Sequence, residues 1–346
     1  MGVKRMQRAK LAAAYLLLAL AAALGWLYSC LPDRVYLEPG QALYLPRFAW
    51  VEPQRGHGSQ NVASTRAVGS YQTTLTLGGW LPIKTIRAVV TERPRVTVCG
   101  TPFGVKMFSE GALIVGFSEI GQAGGGTSNP AKEAGLRLGD RVICIGQTRT
   151  ESNEAVKEAL DAAEGQSVEV VYIRSGEIVP CEITGCSAGT AGSPGELKGH
   201  FLSAHAIGTI RINGENGVYG TTRTHFSGQL REIAFAQEVV TGPAEIWATI
   251  EGEAPRAYRI QIERVSDADP RRNLVIRVTD PSLLSATGGI VQGMSGSPIL
   301  QNGRLVGAVT HVLVNDPTRG YGIFAQTMLE QAKNAVQNGT EAQTAE

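Results

Sequence analysis

The sequence predicts a mainly β chain: an apolar N-terminal helix, a small β region, a compact α+β module and a closing all-β half of barrel-like character. Three observations carry this. Glycine is abundant at 42 of 346 residues while aromatics are only 6%, the balance of a turn-rich β protein. Leu11 to Leu31 contains no charged residue. From residue 205 to 278, alternating apolar and polar residues recur in short runs with no long helical pattern between them. The formal net charge is +1 and there is no basic run beyond the N-terminus, so nothing asks for a nucleic-acid partner.

Residues 1–31 read as a cytoplasmic tip and a membrane anchor. Lys4, Arg5, Arg8 and Lys10 precede the uncharged run. About twenty helical residues span roughly 30 Å, the hydrocarbon thickness of a bilayer. The flanking cations predict the tip inside and the bulk of the chain outside. A cleaved signal peptide is the competing reading, with Ala21-Ala22-Ala23 as a place to cut. The length of the run, and Trp26 and Tyr28 at its end, favour an anchor. Lipidation at Cys30 fits less well, because Tyr28 is bulky where small residues are wanted.

Residues 32–93 form a β-rich region, with strands expected at 35–37, 42–45 and 71–77, punctuated by Pro39-Gly40 and Gly78-Gly79. His57 falls in a polar loop. Five cysteines (Cys30, Cys99, Cys144, Cys181 and Cys186) are odd in number and include no Cys-x-x-Cys pair. They predict neither a disulfide framework nor a metal site, and no cofactor is called for. Cys99, Cys144 and Cys181 sit in apolar runs and are expected in cores.

Residues 94–183 hold a strand at 112–116, a glycine-rich loop from Gly121 to Ser128, the segment Pro130 to Asp140, a strand at 142–145, a helix at 153–163 and a strand at 168–173. This order resembles a PDZ domain of the bacterial, circularly permuted kind, most specifically over Pro130 to Asp140 with Ile143, Ile145 and Gly146 after it. The resemblance implies peptide binding by strand addition, with C-terminal carboxylates captured by a loop at Phe103, Gly104, Val105 and Lys106. Docking within the chain is the other use of such a module. Residues 184–198 are rich in small residues and read as a linker.

Residues 199–330 form the all-β half, followed by a tail at 331–346. Here Gly289-Ile290-Val291-Gln292-Gly293-Met294-Ser295-Gly296-Ser297-Pro298-Ile299 places a serine between glycines on a turn. Small neighbours let a carbonyl reach a serine hydroxyl, and glycines free the backbone to aim N–H groups at a developing oxyanion. A surface Gly/Ser turn has the same composition. The strand residues Ile299-Leu300, the hairpin turn Asn302-Gly303 and the run 305–309 make this resemble the nucleophile segment of chymotrypsin-like serine proteases.

A serine hydroxyl needs a base. His225 follows a predicted hairpin (205–212, 218–220), while His200 and His205 lie near the linker and His311 lies close in sequence to Ser295. Asp280, at the end of the strand 274–278, is the acid that would fix the imidazole, with Asp267, Asp269 and Asp316 as alternatives. The order His225, Asp280, Ser295 is that of the chymotrypsin template. The N–H groups of Gly293 and Ser295 would form the oxyanion hole. The short spacing of Asp280 to Ser295 predicts a divergent, trimmed barrel.

The arrangement as a whole is similar to the stage IV sporulation protein B peptidase family, most closely over 278–281, 287–299 and 308–317. The resemblance implies nucleophile, base and acid at Ser295, His225 and Asp280, although Arg223-Thr224 precede His225 with one residue inserted relative to the family's Gly-x-x-Gly-His. It further implies a serine endopeptidase facing the forespore intermembrane space. Such an enzyme cleaves itself and a membrane-anchored regulator of an intramembrane protease, which leads to sigma-factor activation. A PDZ-bearing scaffold with an inactive protease-like half is the alternative.

Overall fold

The computed structural model describes the chain except residues 1, 55–67, 107–110, 115, 118–119, 122–126, 151–152, 164–165, 175–176, 187–194, 203–205, 223 and 344–346. His57, His205, most of the glycine-rich loop at 121–128 and most of the linker lie outside the described residues.

The fold is mainly β with an apolar N-terminal helix and a closed barrel, as the composition and periodicity predict. Helix α1 (Gly2–Cys30) contains the uncharged run, and one stretch of it, Lys10–Cys30, is long and apolar enough to cross a membrane. Its end is built into the next unit. Strands β1 (Arg34–Leu37), β2 (Val51–Pro53), β3 (Gly69–Leu77) and β4 (Leu81–Val90) form a sheet in the order β1-β4-β3-β2. Leu27 of α1 and Leu31 just after it are buried with Val35, Leu37, Leu75 and Ile86 in its core. Each such side chain contributes about 1.5–3 kcal/mol of burial. The expected strand at 42–45 is irregular chain leading into a 3-10 turn at Pro46–Phe48. Pro46 removes the N–H that a ladder there would need.

The block expected as one module at 94–183 is divided. Strand β5 (Arg95–Val98) pairs antiparallel with residues 229–232, and β6 (Phe103–Lys106) pairs antiparallel with residues 177–180. Between them lies a compact unit: β7 (Ala112–Leu113), a short ribbon of β8 (Ile120–Gly121) and β9 (Thr127–Ser128), α2 (Pro130–Glu133), β10 (Asp140–Ile145), β11 (Thr148–Arg149), α3 (Asn153–Ala162) and β12 (Val170–Arg174). Strand β10 pairs antiparallel with β7, β11 and β12. Val142, Ile145 and Ala159 form its core, with Val156 and Val168 packed on it. Helix α2 starts where Asn129 Oδ1 accepts the Lys132 N–H and Glu133 reaches back to the Asn129 N–H, a reciprocal cap before Pro130.

Strand β13 (Glu177–Cys186) crosses the boundary expected at 183/184. It joins β14 (Leu197–Phe201), β15 (Gly208–Gly214), β16 (Gly217–Thr222) and β6 in one sheet of order β14-β13-β15-β16, with β6 on β13. The 112–174 unit is therefore an insertion between two paired strands, β6 and β13. Strand β17 (Gln229–Glu232) is the partner of β5.

Six antiparallel strands then close a barrel: β18 (Gly242–Ala248), β19 (Arg256–Val265), β20 (Leu274–Val278), β21 (Pro298–Gln301), β22 (Arg304–Leu313) and β23 (Asp316–Phe324), in the order β18-β19-β20-β23-β22-β21. Ile246, Ile260, Ile262, Leu274, Ile276 and Ile299 fill its interior. Asn302 and Gly303, with φ of 52° and 76°, make the two-residue hairpin turn between β21 and β22. A short helix α4 (Pro281–Thr287), not foreseen in the sequence, interrupts the barrel between β20 and β21. Helix α5 (Ala325–Gln343) absorbs most of the expected tail.

Arg93 ties the first sheet to the barrel region. Its buried guanidinium bonds Glu38 at 2.8 Å and Glu238 at 2.7 Å and stacks on Phe235. Burial pulls its pKa down, but the two carboxylates outweigh that and hold it above the ordinary arginine value. Cys30, Cys99 and Cys144 are free and only half-buried, short of the core positions expected for the last two; the Cys181 and Cys186 side chains lie outside the described residues. Burial raises the Cys99 thiol pKa.

Candidate active site

The Ser295 turn stands at the barrel rim and is fixed from both sides. Upstream, α4 ends at Gly288 in the left-handed conformation. At Gly289 (φ 139°) a Cβ would come within 2.1 Å of the Pro317 carbonyl oxygen. That close approach lets the Ile290 N–H bond the same oxygen at 2.7 Å. Ile290, Val291 and Met294 are buried in the barrel core. Downstream, the Ser297 N–H bonds the Met294 carbonyl at 3.0 Å, and Gly296 has φ 90°. This is the pattern of a type II turn, which needs glycine at its third position, with Ser295 at its second. The Gly296 N–H to Val309 carbonyl bond (2.8 Å) and its reciprocal Val309 N–H to Ser297 carbonyl bond (2.9 Å) fasten the turn to β22.

A strap from the expected linker completes the frame. The Gln292 N–H bonds the Gly195 carbonyl at 2.7 Å, and the Leu197 N–H bonds the Gln292 carbonyl at 2.9 Å. The Leu197 side chain lies where a Cβ on Gly293 would stand, 3.0 Å away, and Gly293 has φ 96°. Nothing in the sequence marks Leu197 for this role, because a strand end after a glycine-rich stretch has no distinctive pattern.

The result is an exposed serine with a particular backbone around it. The Met294 N–H is satisfied by the Val291 carbonyl at 3.1 Å. The N–H groups of Gly293 and Ser295 have no acceptor among the described residues. Two open donors flanking one satisfied donor next to a serine hydroxyl is the arrangement that can bind an oxyanion.

The base and acid residues are placed differently. His225 lies on the exposed chain between β16 and β17 and has no hydrogen-bond partner among the described residues. The Ser295 hydroxyl donates to the Thr310 carbonyl at 2.8 Å. His311, next to Thr310 on β22, is exposed at a register shift in the β22–β23 pairing. Asp280 is the N-cap of α4: its carboxylate accepts the Ser282 N–H at 2.9 Å, the Arg259 N–H at 3.3 Å and Arg259 Nε at 3.4 Å. Burial pushes its pKa up, but those N–H bonds and the guanidinium outweigh it and hold the carboxyl below its usual range. Of the alternatives, Asp267 pairs with Arg47, Asp269 bonds Arg271, and Asp316 accepts from Thr318. His200 lies exposed on β14.

Phe103, Gly104, Val105 and Lys106 form strand β6 rather than the expected loop. Their pairing with β13 explains the difference, since it extends the backbone and occupies one edge. No group of three or more metal-ligating side chains is present among the described residues.

Neither a search of curated proteins nor one of solved structures finds a match. The family model described as SpoIVB peptidase S55 matches residues 136–329, more than half of the chain, and this span contains His225, Asp280 and the Ser295 turn. With a closed six-stranded barrel and a serine turn framed at its rim, the chain belongs to the SpoIVB peptidase S55 family.

Proposed function

We propose that this serine peptidase acts as a membrane-anchored endopeptidase with its catalytic part outside the cytoplasm. Ser295 is the nucleophile, His225 the base and Asp280 the acid. The observation that carries the reading is the pair of open N–H groups at Gly293 and Ser295 beside an exposed hydroxyl. In acylation the Ser295 Oγ attacks the scissile carbonyl, its proton passes to the imidazole, and the carbonyl oxygen takes up negative charge between the two N–H groups. The imidazolium then protonates the leaving amine, and water hydrolyses the acyl-enzyme by the reverse transfers. The reading requires the 224–228 segment to bring His225 within about 3 Å of Ser295 Oγ during turnover.

By family resemblance the substrates are the chain itself and a membrane-anchored regulator of an intramembrane protease in sporulation signalling. The inserted 112–174 unit serves as a peptide-binding module of PDZ kind. Strand β6 lies outside that unit, in the sheet with β13; its second edge, unpaired among the described residues, and the exposed Phe103 and Val105 suit strand addition by an extended peptide beside the module.

A scaffold with an inactive protease-like half is the second reading, favoured by the engagement of the Ser295 hydroxyl with Thr310 and of Asp280 with α4. One experiment separates them. The full chain and its Ser295→Ala variant are produced in membranes, and self-cleavage is followed by N-terminal and C-terminal tags. Removing one exposed hydroxyl costs at most about 0.5–1.5 kcal/mol, so the variant stays folded. The proposal expects cleavage only in the native chain; undiminished cleavage in the variant would overturn it.

A further inference from the structure

Three of the four tryptophans, Trp26, Trp50 and Trp80, are exposed: Trp26 stands in the last turns of α1, and Trp50 and Trp80 stand about the turn of the β3–β4 hairpin. We propose that the tip of the β3–β4 hairpin, with Trp80 at its apex, is a membrane foot that seats the first sheet in the headgroup layer of the bilayer. The inference rests on the anchor reading of α1 and goes beyond it.

The helix is not a loose tether. Leu27 and Leu31 belong to the core of the sheet. Lys84, itself buried, bonds the carbonyls of Tyr28 at 3.3 Å and Leu31 at 2.5 Å, pairs with Asp33 at 2.8 Å and lies over the Tyr28 ring. A cation on the last open carbonyls caps the helix and fixes the sheet to it.

The hairpin is fixed alongside the helix rather than beyond its end. Leu24, Gly25 and Tyr28 line a shallow groove with Leu81, Pro82 and Ile83, the residues that follow Trp80. The uncharged run starts at Leu11, and about 30 Å of hydrocarbon at 1.5 Å per residue ends near Cys30. Leu24 to Tyr28 therefore lies roughly 3–9 Å short of that level. A hairpin end held there stands at the acyl–headgroup boundary, not in bulk water. Trp80 follows Gly78 and Gly79 at the turn and is 78% exposed. The Gly78 N–H bonds the Trp50 carbonyl at 3.3 Å, which puts a second exposed tryptophan beside the tip. A soluble surface rarely leaves an indole this open, whereas the amphipathic ring is favoured at a membrane interface. Because Arg93 ties the same sheet to the barrel region, a seated foot also fixes how the Ser295 rim stands over the membrane.

The test uses the full chain in phosphatidylcholine nanodiscs with plain or brominated acyl chains. One variant keeps Trp26 and Trp247, a second keeps Trp80 and Trp247, and a third keeps Trp247 alone; every other tryptophan is Phe. Trp247 is buried in the barrel region and stays in all three, so no core position changes. The inference expects bromine to quench the Trp80 chain to an extent comparable with the Trp26 chain, and to leave the Trp247 chain unchanged. A single Trp80→Phe variant must likewise lose part of the native chain's quenchable emission. Quenching of Trp26 without Trp80 would refute the foot and leave the anchor standing. Quenching of neither would refute both.

Discussion

Gly293→Ala probes the framed turn most sharply. The substitution adds one methyl at φ 96°, a conformation that costs an L side chain roughly 1–3 kcal/mol. The methyl would also stand 3.0 Å from Leu197 Cβ and 3.4 Å from its Cγ and Cδ1. Leu197 is tied through its N–H to Gln292, so it yields only if the strap shifts. Either response moves the Gly293 N–H, one of the two open donors. If that donor serves an oxyanion, its loss lowers the acylation rate about 10²–10³-fold. The assay is the second-order rate of modification of the full chain in membranes by a fluorophosphonate, whose phosphoryl oxygen occupies the same place as the oxyanion. The melting temperature, followed in parallel, should fall about 2–4 °C per kcal/mol of strain. A Gly293→Ala chain that reacts at the native rate with this loss of stability would refute the oxyanion role. An unchanged melting temperature would refute the strain argument.

Other consequences follow from the same geometry. His225→Ala should slow fluorophosphonate modification roughly 10²–10⁴-fold, the range for a general base, while His311→Ala leaves it within a few-fold; the opposite ranking would make His311 the base. Asp280 has a depressed folded pKa, so the stability its ionised form contributes is present above the unfolded value of about 3.9 and disappears as pH falls through the folded value. Asp280→Ala should thus lower stability by about 0.5–2 kcal/mol at pH 7, with the gap to the native chain narrowing below about pH 4, as read by chemical denaturation at several pH values. A gap independent of pH would contradict the assignment. Arg93→Met removes the buried guanidinium shared by Glu38 and Glu238, leaving the half-buried Glu238 with the Phe235 N–H and the more distant Arg304, and should cost about 1–3 kcal/mol. The Arg93→Met/Glu238→Gln pair should recover much of that loss, and additive losses in the double variant would count against the pairing.

Much of the fold was legible because burial alternates along the barrel strands. In β20, Leu274, Ile276 and Val278 are buried while Val275 and Arg277 are less so, the two-residue period visible in the letters. The serine turn was legible for the same local reason, since its glycines mark positive φ and close backbone approach. Helix α4 was missed because seven residues give too little periodicity, although Asp280-Pro281 and Gly288 are a start and a stop signal. The division of the 94–183 block was hidden because pairings such as β5 with β17 join residues more than a hundred positions apart. Local pattern carries no register at that separation. Asp280 shows another limit: a strand-end aspartate before proline reads equally as a catalytic acid and as a helix N-cap, and the cap is what its hydrogen bonds display.

If Ser295 is a nucleophile served by an oxyanion hole, it reacts selectively with an electrophile that mimics the scissile carbonyl. The most direct measurement is peptide mapping by mass spectrometry after the full chain, in membranes, has been exposed to a fluorophosphonate. A single phosphonyl adduct on Ser295 is expected, absent from Ser295→Ala and strongly reduced in His225→Ala. An unmodified Ser295 in the native chain, or an adduct that persists in Ser295→Ala, would contradict the nucleophile role.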